Sequence, residues 1–198
     1  DRSGQVDFGE LLLRAHELWL NKPAILNHYQ QRFQYLLVDE FQDTNTIQYA
    51  WLRVLAGNNN NITVVGDDDQ SIYGWRGAKI ENIQQFSDDF AATEVIKLEQ
   101  NYRSTGCILA AANAVIANNP ARLGKNLWTD DEEGEPIALY AGFNEQDEAR
   151  FIVERIEHHV SDDLLLSEQA ILYRSNAQSR VLEEELIRTG IPYRIYGG

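Results

Sequence analysis

An α/β fold, made of parts of two parallel-sheet domains behind a short all-helical lead-in, is what the order of residues in this chain predicts. Three observations carry that expectation. From Tyr35 onward, short apolar runs alternate with helical stretches, the rhythm of a parallel sheet wrapped by helices. Two of the runs, YLLVDEFQD at 35–43 and VVGDDDQSIYGWRGA at 64–78, read as buried strands that end abruptly in adjacent carboxylates. Ahead of them the apolar residues recur at helical spacing instead.

The elements follow in order. Residues 7–20 place Phe8, Leu11, Leu12, Ala15, Leu18 and Trp19 on one stripe, and a second helical stretch follows Pro23 to about Phe33. Then come a strand at 35–39, a helix at about 44–56, an Asn-rich turn at 57–61 and a strand at 62–66. The DDDQSIYGWRGA loop leads to a helix at about 79–90 and a strand at 94–98. After LEQNYRST, a helix of small apolar residues covers about 106–118, and the polar stretch from Asn118 to Pro136 reads as a surface excursion. The alternation resumes with strand PIALYAG, a helix at about 145–160, strand QAILYRS, a helix at about 178–189 and strand PYRIY. A boundary near residue 99 separates two α/β units. IPYRIYGG stops in or just after a strand and DRSGQ starts without methionine, so the chain is expected to be an internal piece of a longer protein.

Composition narrows the function. With 198 residues, 43% apolar and 10% aromatic, the chain can fill a real core. Its single cysteine, Cys107, excludes a disulfide framework and a Cys-rich zinc site, and suits a reducing, cytoplasmic compartment. No apolar stretch approaches the roughly 20 residues that span a bilayer, and no signal peptide opens the chain, so a soluble protein is expected. The net charge of -14 argues against nucleic acid, because nonspecific affinity comes mostly from Lys and Arg. Base stacking on aromatic side chains, worth roughly 1–3 kcal/mol per base, needs no net positive charge.

Carboxylates at the carboxyl edge of a parallel sheet are how nucleoside-triphosphate enzymes present a metal ligand and a base. Asp39 and Glu40 suit these roles, against the plainer reading of a strand-end pair with Asp43 capping the next helix. Capping is the leading reading for Asp43 itself. Gln70, just past Asp67, Asp68 and Asp69, is an uncharged group suited to sensing a terminal phosphate. Tyr73, Trp75 and Arg76, between Gly74 and Gly77, are flat groups on a sharply turning loop, able to meet bases or, for Tyr73, to pack in a core.

LLVDEFQDTN, VVGDDDQSIYGWRGA, LEQNYRS and ILYRSNAQSRVLEEEL occur in this order and together resemble the UvrD/Rep/PcrA branch of superfamily 1 DNA helicases. The resemblance runs over essentially the whole chain. It implies RecA-like domains: residues 1–34 would be the end of the helical insertion 1B, 35–98 the second part of domain 1A, and 99–198 the first part of domain 2A. It implies ATP and magnesium as cofactors, with Asp39 on the metal through water, Glu40 as base, Gln70 coupling hydrolysis to DNA, Tyr102 stacking on adenine and Arg103 neutralising the γ-phosphate. Without the resemblance, a Tyr packed under a linker and an Arg paired to an acidic neighbour would be the preferred reading of the last two. For DNA it implies Trp75 as main stacking platform, with Tyr73, Arg76, Phe8, Asn176 and Arg174. Phe8 also lies on the apolar stripe, Asn176 is also placed to cap the helix near Gln178, and Arg174 also suits a surface ion pair.

A phosphate-cradling GxxxxGK[ST] string is absent, and the one Gly-Lys pair, Gly124-Lys125, is followed by Asn126 in the polar stretch. The resemblance implies a parent ATP-dependent 3'-to-5' helicase of DNA repair or replication, acting on single strands and duplex junctions, and the missing string implies a piece that is inactive alone and binds magnesium nucleotide weakly or not at all. Repair or replication proteins are possible partners. The rivals are a noncatalytic DNA- or protein-binding module, which a phosphate loop upstream would exclude, and part of a recombination helicase-nuclease, which a nuclease domain downstream would reveal. Unpaired sheet edges also predict self-association of the piece.

Overall fold

The computed structural model describes residues 4–59, 61–90, 92–120 and 122–196. Contacts divide the chain into two compact units, residues 1–135 and 136–198.

In the first unit the lead-in is helical as its periodicity requires. Helix α1 (Phe8–Asn21) is capped by Asp7, whose side chain accepts from the Glu10 amide at 2.7 Å, and α2 (Pro23–Arg32) opens on proline. Trp19 is the buried anchor of α1 and stacks on Trp51 of α3 (Thr46–Ala56), ring centroids 4.7 Å apart. Strands β1 (Leu36–Val38) and β2 (Ile62–Val64) pair in parallel, Leu36 opposite Ile62 and Val38 opposite Val64. One face of this ladder packs on a core of Phe41, Tyr49 and Phe86, with Val38, Ile62, Val64 and Ile83 against it. Phe86 comes from α4 (Glu81–Asp89), and Phe41 meets both Tyr49 and Phe86 edge-on at 5.8 and 5.6 Å. The Tyr49 hydroxyl donates to Asp89 at 2.7 Å; burial first, then that carboxylate, push its titration upward. Helix α5 (Gly106–Ile116) completes the unit.

The second unit is built on α6 (Glu145–Ser161) and α7 (Ser179–Thr189), which bury Ala149, Val153 and Leu186. Asn144 caps α6 by accepting from the Asp147 amide at 2.8 Å, and Gly190 ends α7 in the left-handed region at φ 74°. Tyr140 stacks on Phe151 at 3.8 Å. Phe151, Ile156, Leu172, Leu182 and Leu186 line an open groove of about 1100 Å³.

All seven helices among the described residues lie where expected, but most of the predicted strands do not pair. Among the described residues the only ladder is β1–β2; the segments at 94–98, 136–142, 169–175 and 192–196 carry no strand hydrogen bonds. The reason is physical. An apolar run can announce that a segment is suited to burial on both faces, but a strand exists only when neighbouring strands supply its hydrogen bonds. Lacking them, Leu139 and Leu172 stand 97% and 91% exposed.

Candidate functional site

The site is assembled at the carboxyl ends of β1 and β2. Beyond the strands the chains remain joined: the Val65 amide donates to Val38 O at 2.7 Å and the Phe41 amide to Val65 O at 2.9 Å. Glu40 sits in the left-handed region, φ 50° and ψ 43°, a conformation that costs a non-glycine residue about 1–2 kcal/mol. That turn leaves Asp39 and Glu40 exposed at the sheet edge while Phe41 enters the core. One Asp39 oxygen accepts from the Glu40 amide at 2.9 Å.

Gln42, which sequence reasoning passed over, ties the two loops together. It is 2% exposed, donates through Nε2 to a Glu40 carboxylate oxygen at 2.6 Å, and accepts through Oε1 from the Asp67 amide at 3.0 Å. Gly66 makes room for it, since a Cβ there would lie 2.7 Å from Gln42 Oε1 and 3.2 Å from the Phe41 amide nitrogen. A signal was present: a glutamine two residues past the carboxylates, with a glycine at the end of the second strand.

Asp43 does not cap α3. A single turn of 3-10 helix, Phe41–Asp43, intervenes, and Asn45 caps instead by accepting from the Gln48 amide at 3.0 Å while the Gln48 side chain accepts from the Asn45 amide at 2.8 Å. Asp43 keeps a buried oxygen with no partner among the described residues.

After β2, Asp68–Gln70 form another single 3-10 turn. The Gln70 side-chain amide donates to Asp67 Oδ2 at 2.7 Å. The stretch expected to be a surface excursion returns to this turn: Arg122 Nε donates to Asp69 Oδ1 at 2.9 Å, the Leu123 amide to Asp68 at 2.7 Å, and Lys125 pairs with Asp67. Three adjacent carboxylates repel one another, so cations drawn from a distant segment relieve them. Burial pushes the Asp67 carboxyl up, but Lys125, Gln70 and the Asp69 amide outweigh it and hold the group below the usual range.

The aromatic loop follows directly. Gly74–Arg76 form a 3-10 turn closed by Gly77 at φ 87°, where a side chain would be strained. The Arg76 guanidinium lies over both rings, 4.5 Å from the Trp75 centroid and 5.2 Å from that of Tyr73. Trp75 is 73% exposed, whereas Tyr73 is half-buried. Thr44 holds this loop to the first one: its carbonyl accepts from the Lys79 amide at 2.9 Å and from Asn82 Nδ2 at 3.0 Å.

Tyr102 and Arg103 project from a turn in which Asn101 Oδ1 accepts from both the Arg103 and Ser104 amides at 2.8 Å. Neither is sequestered. Tyr102 is exposed and donates only to Gln100, at 2.8 Å, and the Arg103 guanidinium has no hydrogen bond or ion pair among the described residues. No hydrogen bond joins them to Asp39 or Glu40. Phe8, although on the apolar stripe of α1, is 92% exposed. Arg174 and Asn176 belong to the second unit and are exposed; Asn176 does not cap α7, because the 3-10 turn Asn176–Gln178 sets it two residues ahead of the cap position, and Gln178 Oε1 accepts from the Arg174 and Ser175 amides at 2.9 and 3.0 Å.

Parallel strands ending in adjacent carboxylates are joined through Gln42 to the Asp67–Gln70 turn, which leads into an exposed aromatic loop, and the chain belongs to the UvrD-like helicase family. The UvrD/REP helicase N-terminal domain matches residues 1–91 and the UvrD-like helicase C-terminal domain residues 96–198. Over all 198 residues the chain is 68% identical to DNA helicase II of Escherichia coli strain K12 and 63% identical to DNA helicase II of Haemophilus influenzae; over 197 residues it is 48% identical to the ATP-dependent DNA helicase PcrA of Staphylococcus aureus. The chain spans 28%, 27% and 27% of those relatives. Its fold class is α/β, with parts of RecA-like helicase domains behind a helical lead-in. No helix among the described residues is long and apolar enough to cross a membrane.

Proposed function

We propose that this chain is the central part of a cytoplasmic ATP-dependent DNA helicase that moves 3' to 5' on single-stranded DNA and opens duplex junctions in repair or replication. The observation that carries the reading is the hydrogen-bonded edge that runs from Glu40 through Gln42 to Asp67 and Gln70, with the exposed Trp75 further along the same loop. Nucleotide chemistry and a stacking surface then share one loop system.

Residues 1–34 are assigned to insertion 1B, 35–98 to domain 1A and 99–198 to domain 2A, which the meeting of the two family matches between residues 91 and 96 supports. The contact division falls later, at 135, because residues 122–128 fold back on 67–69 and on 99–101.

Within the site, Asp39 has one oxygen committed to the Glu40 amide, which leaves the other for a hydrated magnesium ion, as a single-carboxylate donor suits. When bound, magnesium would supply positive charge to the β- and γ-phosphates of ATP. Glu40, steadied by Gln42, orients and deprotonates the attacking water; Gln70 senses the γ-phosphate; Tyr102 stacks on adenine; Arg103 offsets charge on the γ-phosphate. Trp75 grips the strand by stacking, supported by Arg76 and Tyr73, with Phe8, Arg174 and Asn176 as further contacts.

The test of the DNA half is direct. Trp75→Ala in the full-length protein is expected to weaken single-strand binding by about 5- to 150-fold, the equivalent of roughly 1–3 kcal/mol of lost stacking. Fluorescence-anisotropy titration of labelled oligo(dT) reads it, and unchanged affinity refutes the role of Trp75. For the isolated chain, exposed Leu37, Leu139 and Leu172 together with open strand edges favour self-association. A strict monomer by light scattering at high concentration contradicts that.

A further inference from the structure

The strap at residues 122–128 has no part in the function above, yet its contacts reach the nucleotide-sensing turn. Asp67 is the shared node. Its Oδ2 holds Gln70 Nε2 at 2.7 Å, while its Oδ1 accepts from the Asp69 amide at 2.9 Å and pairs with Lys125 Nζ. The Lys125 side chain is 17% exposed, its carbonyl accepts from Arg122 Nη2 at 3.0 Å, and Arg122 in turn clamps Asp69. Lys97 braces the bend between them by donating to Leu123 O at 3.0 Å and Gly124 O at 2.7 Å.

The far end of the strap is tied down as well. The Asn126 amide donates to Glu99 at 3.0 Å, and the Asn101 amide to Trp128 O at 2.7 Å; Asn101 is the residue whose side chain forms the turn carrying Tyr102 and Arg103. Gln70 and Arg103 thus stand at the two ends of one hydrogen-bonded strap. Ion pairs of this partly buried kind differ from solvated surface pairs: removing one partner leaves the other charge uncompensated, and its geometry is lost with it.

We propose that Lys125 is a positioning residue, which through Asp67 holds the Gln70 amide in its working orientation and links it to the segment that bears Arg103. The proposal rests on the helicase reading and adds to it a residue that touches neither nucleotide nor DNA. A group acting this way changes turnover more than nucleotide affinity.

The test is steady-state ATP hydrolysis by the full-length protein with saturating single-stranded DNA. Lys125→Met is expected to lower kcat about tenfold with KM for ATP changed by less than about twofold, and Lys125→Arg to recover most of the loss. Asp67→Asn removes the same pair from the other side and reads the same loss even if Lys125→Met fails to fold. Combining the two should cost no more than either alone, as for residues acting through one contact. Wild-type kcat in both single variants, no recovery with Lys125→Arg, or multiplying losses in the double variant would each overturn the assignment of Lys125. A wild-type protein without DNA-stimulated hydrolysis would instead overturn the helicase reading, and this inference with it.

Discussion

Glu40→Gln in the full-length protein is expected to lower DNA-stimulated ATP turnover by about 10²- to 10⁴-fold, the usual contribution of a positioned general base. The substitution keeps the shape of the side chain and an oxygen able to accept from Gln42, so the loop geometry and the partly buried contact survive. Only the capacity to take a proton is removed. Nucleotide binding should persist, because Glu40 lies beside the proposed metal ligand without being one. Phosphate release measured in single turnover, with bound nucleotide assayed in parallel, separates the two steps, and turnover within twofold of wild type would sink the assignment. The 198-residue chain offers a control, since its sequence contains no GxxxxGK[ST] string to hold the phosphates. It should hydrolyse ATP negligibly; measurable hydrolysis that disappears with Glu40→Gln would show that the cradle is dispensable.

Arg103→Ala should have an effect at least as large, about 10³- to 10⁵-fold in turnover, if its guanidinium acts as an arginine finger. Its present geometry suits that role. A turn built on Asn101 presents it to solvent, and no carboxylate among the described residues competes for its charge. Arg103→Lys should rescue poorly, because an ammonium lacks the planar fork that spans two phosphate oxygens. The diagnostic is a fall in kcat with little change in ATP affinity. A rise in KM alone would place Arg103 in ground-state binding instead.

The parts of the molecule legible in the sequence share one property: their causes are local. Asp7, Pro23, Asn144 and Gly190 start or end helices through groups within four residues, and the apolar periodicity between such signals marks α1, α3, α6 and α7. The acid pairs at the ends of β1 and β2 were visible for the same reason. Even Asp43, whose expected capping role passed to Asn45, was misplaced by only two residues, because a 3-10 turn is a local choice between similar hydrogen bonds.

What escaped was long-range. The apolar runs at 136–142 and 169–175 look like buried strands, but pairing is a property of two segments. Gln42 resembles any polar residue of a loop until the Asp67 amide, 25 positions on, is seen on its side chain. Lys125 looks like part of a solvated excursion until Asp67 is found against it.

By itself the sequence determined an α/β fold with a helical lead-in and a resemblance to the UvrD-like helicase family, where the helices lie, and which carboxylates and aromatic residues stand at strand ends. Only the tertiary structure decided which groups are joined: Glu40 to Asp67 through Gln42, the residues after the aromatic loop, Lys79 and Asn82, to Thr44, and Gln70 to Lys125 through Asp67. The physical reason is that caps and periodicity act over a few residues of chain, whereas a buried amide or a partly buried ion pair draws its partner from wherever the fold supplies one.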